Sequence, residues 1–193
     1  SNKDEAIITT TRGSIIIYKN GKASHYKIPN INFKDFNSAV VDNDHNIWLS
    51  SFNGMIYKFN LKTKKFEVLD DKLFGNDHNY LFNCLYRDTN LNAIWISTQR
   101  SGLFKYDLKT HKLGKYIIKA PGANILNSEN ILSIVRDPNT DVLYLGTDQH
   151  GLLVWDPYLY KFDFIDPIRS SSSQLGFRLP RKLEKDNFGN VWI

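Results

Sequence analysis

A chain of 193 residues, 41% apolar and 23% charged, is long enough for one folded domain with a sizeable core, and its composition is that of an ordinary globular protein rather than of a disordered chain. No stretch approaches the roughly 18 uninterrupted apolar residues of a membrane helix and no charged-then-apolar leader opens the chain, so direct membrane insertion of this segment is not expected. The net charge of +5 would suggest a nucleic-acid partner only if the basic residues were gathered on one face; they are spread along the chain with acidic residues nearby, which reads as a solvated surface and no nucleic acid.

In chain order, the first pattern is "AIITTT" from Ala6, a β-branched run followed by Gly13. Next comes "FNSAVVD", ending at Asp42, and then "IWLSS" from Ile47 beyond a polar turn. "GMIYKFN" follows an Asn-Gly turn, and "KKFEVL" follows a lysine-rich tip. Short β-branched and aromatic runs between Asn, Asp, Gly and Thr turns make four antiparallel strands and leave no room for a long helix. The same four phrases return as "FNCLYRD", "IWIST", "GLFKYD" and "KLGKYI", and again as "ILSIVRD", "LYLGT", "GLLVWDP" and "KFDFI". The chain closes on "RKLEKD" and "NVWI". Cys84 is the only cysteine, so no intrachain disulfide forms; it fills a repeat position held elsewhere by Ser38 and Ser133 and reads as a small packing residue rather than a nucleophile.

The periodicity decides the fold. Gly13, Gly54, Gly102 and Gly151 are separated by 41, 48 and 49 residues, and Trp48, Trp95, Tyr144 and Trp192 keep nearly the same interval. Asp42, Asp88, Asp137 and Asp186 precede each aromatic by six or seven residues. Intervals of about 40 to 50 belong to propeller blades. One four-stranded sheet cannot bury its faces alone, so blades stack and the large aromatics fill the wedge between them. The aspartates cap the turn after the first strand by accepting from backbone amides. The expected fold is therefore all-β, a β-propeller segment of about four four-stranded antiparallel blades. The repeats run approximately 1–30, 31–70, 79–117 and 128–166, with a partial repeat 179–193, in a single segment 1–193. The alternative is a closed four-bladed ring in which "RKLEKD" pairs with "AIITTT". The opening Ser-Asn reads as a cloning remnant and the last phrase stops in mid-strand, so a piece of a longer protein is expected, whose open sheet edges favour self-association.

The order Asp, short turn, "IWLSS" or "IWIST" or "LYLGT", variable turn, "GL", then "KYD" or "VWDP" resembles the two-component regulator propeller repeat, and the resemblance covers nearly the whole chain. Ile7 in place of the first aromatic, and a Gly-Thr pair in the third copy alone, are departures in single copies. The resemblance implies an extracytoplasmic, periplasmic sensor region of a hybrid histidine kinase, from gut bacteria that degrade complex glycans. It implies a non-catalytic module that recognises a glycan-derived oligosaccharide and signals to a kinase, with the remaining blades and downstream sensor parts of the same protein as partners. A propeller scaffold for protein assembly, or a propeller lyase or hydrolase, are the alternatives.

Candidate recognition residues lie where strand two meets strand three and where strand four leads to the next blade, because these loops emerge on one propeller face. They are Phe52, Asn53, His78, Asn79, Tyr80, Gln99, Arg100, Asp148, Gln149 and His150. Arg100 is the expected anchor, since a guanidinium binds a carboxylate or sulfate through two parallel hydrogen bonds. No enzyme signature is present: no Cys-x-x-Cys, His-Glu-x-x-His, phosphate-cradling glycine loop or Gly-x-Ser-x-Gly elbow. Asp148 and His150 alternate on a short turn and rarely converge in such an arrangement, and the five histidines are too dispersed for one metal site. No catalytic residue, metal or cofactor is expected.

Overall fold

The computed structural model describes residues 5–10, 13–28, 36–52, 54–69, 71–74, 80–99, 101–116, 130–148, 151–165 and 180–193. Its strands form antiparallel sheets in chain order. The first sheet has three: β1 (Glu5–Thr9), β2 (Ser14–Lys19) and β3 (Lys22–Lys27). The second has β4 (Phe36–Val41), β5 (Asn46–Ser51), β6 (Ile56–Asn60) and β7 (Phe66–Val68). The third has β8 (Phe82–Asp88), β9 (Ala93–Thr98), β10 (Leu103–Asp107) and β11 (Leu113–Tyr116). The fourth has β12 (Ile131–Arg136), β13 (Leu143–Thr147), β14 (Leu152–Asp156) and β15 (Lys161–Ile165). β16 (Glu184–Lys185) and β17 (Val191–Trp192) make a last pair. Among the described residues there is no α-helix, only a 3-10 turn at Asp71–Phe74, and no helix long and apolar enough to cross a membrane.

The chain is thus an all-β propeller segment of up-and-down meanders. Within their own units, β1 pairs with β2, Ala6 opposite Tyr18, and β16 pairs with β17, Glu184 opposite Trp192. β1, the "AIITTT" segment, is the first strand of a three-stranded sheet and precedes a glycine turn and two further strands.

The fold comprises two compact units, 1–81 and 82–193. In the first, Ile15 and Ile17 of β2 meet Ile47, Leu49, Tyr57 and Phe59 of the second sheet, with Ile7 packed against them. In the second, Trp95 and Leu103 of one sheet meet Ile134, Leu145, Leu153 and Trp155 of the next. The Trp95 and Trp155 rings stand edge to face, 5.1 Å apart. Strands β5 and β9 are buried at every position, as strands covered on both faces must be.

The aspartate of each repeat holds both a turn and an aromatic. One oxygen of Asp42 accepts the amides of Asp44 and Asn46 at 2.9 and 2.8 Å, and the other accepts Trp48 Nε1 at 2.8 Å. Asp88 does the same for the Asn90 and Leu91 amides and Trp95 Nε1. Asp137 takes the Asn139 and Thr140 amides and the Tyr144 hydroxyl. Asp186 takes the Phe188 and Asn190 amides and Trp192 Nε1. The two spacings are two turns. In the six-residue copies an asparagine, Asn46 or Asn190, adds its side-chain amide to the carboxylate, and His45 or Gly189 takes positive φ. In the seven-residue copies the turn is one residue longer and Asn92 or Asp141 takes it.

Asp88 has a further partner. Arg136, 4% exposed, reaches from β12 into the neighbouring sheet, where its Nε lies 3.1 Å from Asp88 Oδ1 and a terminal nitrogen bonds Oδ2. The Arg136 amide donates to the Tyr86 hydroxyl at 3.0 Å. A charge buried this deeply is tolerable only when paired and hydrogen-bonded on every side.

Candidate functional site at the loop-bearing ends of the sheets

The turns between second and third strands are built alike. Ser51, Thr98 and Thr147 end the second strands of their sheets and Thr10 follows β1, and their amides donate to the carbonyls of Met55, Gly102, Gly151 and Ser14 at 3.1, 3.2, 2.8 and 3.0 Å respectively. The hydroxyls of Ser51, Thr98 and Thr147 reinforce the same closure. Gly54, at φ 78°, is the third residue after its hydroxyl, whereas Gly102 and Gly151, at 84° and 70°, are the fourth. All these bonds join residue i to residue i+4, so the three-residue tips are of equal length and differ in where the glycine stands; the turn bearing Arg100 is no longer than the Asn53-Gly54 turn.

The links from fourth strands reach these turns. A Cβ on Gly54 would lie 2.4 Å from the Tyr80 carbonyl oxygen, so only glycine lets that link cross the turn. Tyr80 stacks obliquely on Phe74, 5.9 Å between ring centroids, and Phe52 is 56% exposed beside Gly54 in sequence. In the fourth sheet the Asp148 amide donates to the Asn130 carbonyl at 3.2 Å, and Asn130 Nδ2 donates to Asp148 Oδ2. Their remaining side-chain oxygens, Asn130 Oδ1 and Asp148 Oδ1, are buried with no hydrogen-bond partner among the described residues. Gln99 is half-buried after Thr98.

Of the sequence candidates, Tyr80 therefore meets the Gly54 turn and Asp148 meets Asn130. Asn53, His78, Asn79, Arg100, Gln149 and His150 lie outside the described residues. Sequence reading passed over Asn130 and Phe74, although Asn130 closes the loop "KAPGANILNSEN" immediately before a strand and Phe74 precedes the loop glycine.

Cys84 is chemically quiet. Burial pushes its thiol up to about 11, against a smaller downward pull from the Ser97 hydroxyl 3.0 Å away. Ser97 also donates to the Ile131 carbonyl at 2.9 Å, tying β9 to the start of the next sheet.

No family model and no curated protein matches this sequence. Solved structures do. The extracellular domain of BT4673 from B. thetaiotaomicron, described both as a one-component and as a hybrid two-component system, superimposes at TM-score 0.70 with 18% identity, over 99% of this chain and 24% of that one. The extracellular domain of the hybrid two-component system BT3049, from the same organism, superimposes at 0.69 with 23% identity, over 98% of this chain and 24% of that one. The β-propeller domain of Cps50 (Swd1) from Myceliophteria thermophila superimposes at 0.61 with 11% identity, over 84% and 53% of the two chains. The chain spans about a quarter of the length of the two-component domains and shares the fold of the part it covers.

Proposed function

We propose that this chain is part of a non-catalytic, extracytoplasmic sensor, which recognises a glycan-derived oligosaccharide at the loop-bearing ends of its sheets and passes occupancy through downstream parts to a kinase. The observation that carries the reading is the superposition of 98–99% of the chain on extracellular domains of hybrid two-component systems. The remaining parts of the same protein and a second copy are its partners, and the periplasm is its compartment.

On this reading Arg100 anchors an acidic group, with Gln99, Asn53, Gln149, His150 and His78 supplying polar contacts and Tyr80 an aromatic wall. The buried acceptors of Asn130 and Asp148 favour a ligand rich in hydroxyl donors, since an unpaired buried oxygen is costly. Thermal-shift screening of the intact ectodomain against glycan fragments identifies the ligand, because whatever binds only the folded state raises its melting temperature. Calorimetric titration then compares the native protein with Arg100→Ala and with Lys109→Ala, a matched charge change in a strand-three-to-four tip. Loss of about 1.5–3 kcal/mol at Arg100 alone is expected for a charge-assisted bond. Equal affinities remove the face, and a screen in which no glycan stabilises the ectodomain leaves the scaffold reading in its place.

A further inference from the structure

At the opposite end of the sheets in unit 1–81, the hairpin tips carry lysine after lysine. Asn20 and Gly21, at φ 50° and 74°, make a two-residue turn that sets Lys19 directly opposite Lys22. In the next sheet Asn60 Oδ1 accepts the Lys62 and Thr63 amides at 3.0 and 2.8 Å, fixing the tip that displays Lys62 and Lys64. The Leu61 amide donates to the His45 carbonyl at 3.2 Å, which ties this tip to the adjoining turn of its sheet. Lysines of two hairpins, 40 to 45 residues apart in sequence, thus border one cleft of about 700 Å³. This gathering corrects the reading of the tips as a dispersed, solvated surface: stacking one sheet on the next brings corresponding tips side by side.

The cleft has an apolar wall, of Ile17, Tyr26 and Leu61, where the core between the two sheets meets solvent. Its rim has four ammonium groups against one carboxylate, Glu5, which Lys19 engages at 3.2 Å. Lys64 Nζ stands 4.9 Å over the Tyr26 ring. Lys22 and Lys62 have no ion-pair partner among the described residues.

We infer that this cleft binds a small polyanion, a ligand carrying two or more carboxylate, sulfate or phosphate groups. Like charges around a concavity with low-dielectric walls focus a positive potential that a multivalent anion relieves. Ammonium groups serve as point-charge donors to such oxygens. The volume is that of a site for a ligand of a few rings, and Tyr26 offers one of them a flat face. The inference rests on the lysine geometry alone and stands or falls apart from the sensor reading.

The test is calorimetric titration of the 193-residue chain at low and at physiological salt with three probes: trigalacturonate, tripolyphosphate and the neutral trisaccharide maltotriose. Binding of at least one anion is expected, weakening as salt rises. Lys22→Gln/Lys62→Gln, which keeps most of each stem and removes two charges, should lower that affinity about tenfold or more, while Lys109→Ala stays within about twofold. Trigalacturonate binding assigns the anion to an acidic saccharide, and tripolyphosphate binding alone assigns it to a phosphate ligand. The inference is overturned if neither anion binds at low salt, if maltotriose binds as tightly, or if Lys109→Ala loses as much as the double variant. Melting temperatures of both variants, at exposed lysines, should match the native chain.

Discussion

At the residue scale, the aspartate and its aromatic are one unit. Asp186 and Trp192 show that the pairing is local: Trp192 is 65% exposed and still donates to Asp186 at 3.0 Å. The Asn190 side chain first, then Trp192 and the turn amides, outweigh what desolvation there is and hold the Asp186 carboxyl at about 2. A depressed carboxyl adds stability above its unfolded value near 4 and loses it as the pH falls towards 2. The Trp192 indole N–H resonance should therefore shift with a midpoint near pH 2; a midpoint near 4 would show that the bond does not persist in solution. Asp88 is the buried extreme. Arg136→Met strands its carboxylate in the interior and should cost about 3–5 kcal/mol in urea unfolding, with Arg136→Lys recovering only part because an ammonium lacks the fork. A loss below about 1 kcal/mol would mean that the pair is open to water.

At the scale of the element, the described hairpins other than the Asn20-Gly21 turn are each fixed by one side-chain oxygen and one left-handed residue. Gly21 and Gly54 separate two effects of glycine within one unit. Both have positive φ, 74° and 78°, but a Cβ at Gly21 meets nothing within 4 Å while at Gly54 it strikes the Tyr80 carbonyl. Gly21→Ala should cost about 1–2 kcal/mol from the backbone alone, and Gly54→Ala distinctly more. Equal losses in chemical denaturation would mean that the Tyr80 link moves aside freely. These turns were legible in the sequence because Asn-Gly, Asp-x-x-x-Asn and Ser-Phe-Asn-Gly state their chemistry locally. The second role of each aspartate was not, since a cap explains the residue fully until the indole is seen on its other oxygen. Arg136 was illegible for a different reason: "IVRD" reads as an ordinary strand end, and its partner lies 48 positions away.

At the scale of the molecule, repetition made the fold readable and stacking made the sites hard to read. Four phrases in phase specify sheets that bury one another, but which tips then adjoin depends on how neighbouring sheets stack, so the lysines of two hairpins look dispersed until Lys19 and Lys62 border one cleft. The candidate recognition loops are legible only as a class, as the links that share an end of each sheet; Asn130 joined the candidates through its contact with Asp148. Stacking also sets how damage spreads. In a solenoid-like array each sheet contacts only its neighbours, so a lesion at an interface belongs to both sheets that form it. Trp95 sits in such an interface, fully buried against Leu145, Leu153 and Trp155. Trp95→Ala should destabilise the unit 82–193 by about 3–5 kcal/mol. Hydrogen exchange locates the loss: protection should fall in β13 and β14, which carry no substitution, as much as in β9 and β10. A fall confined to β8–β11 would mean that Trp95 stabilises its own sheet alone, and the inter-sheet account of the repeat aromatic would fail with it.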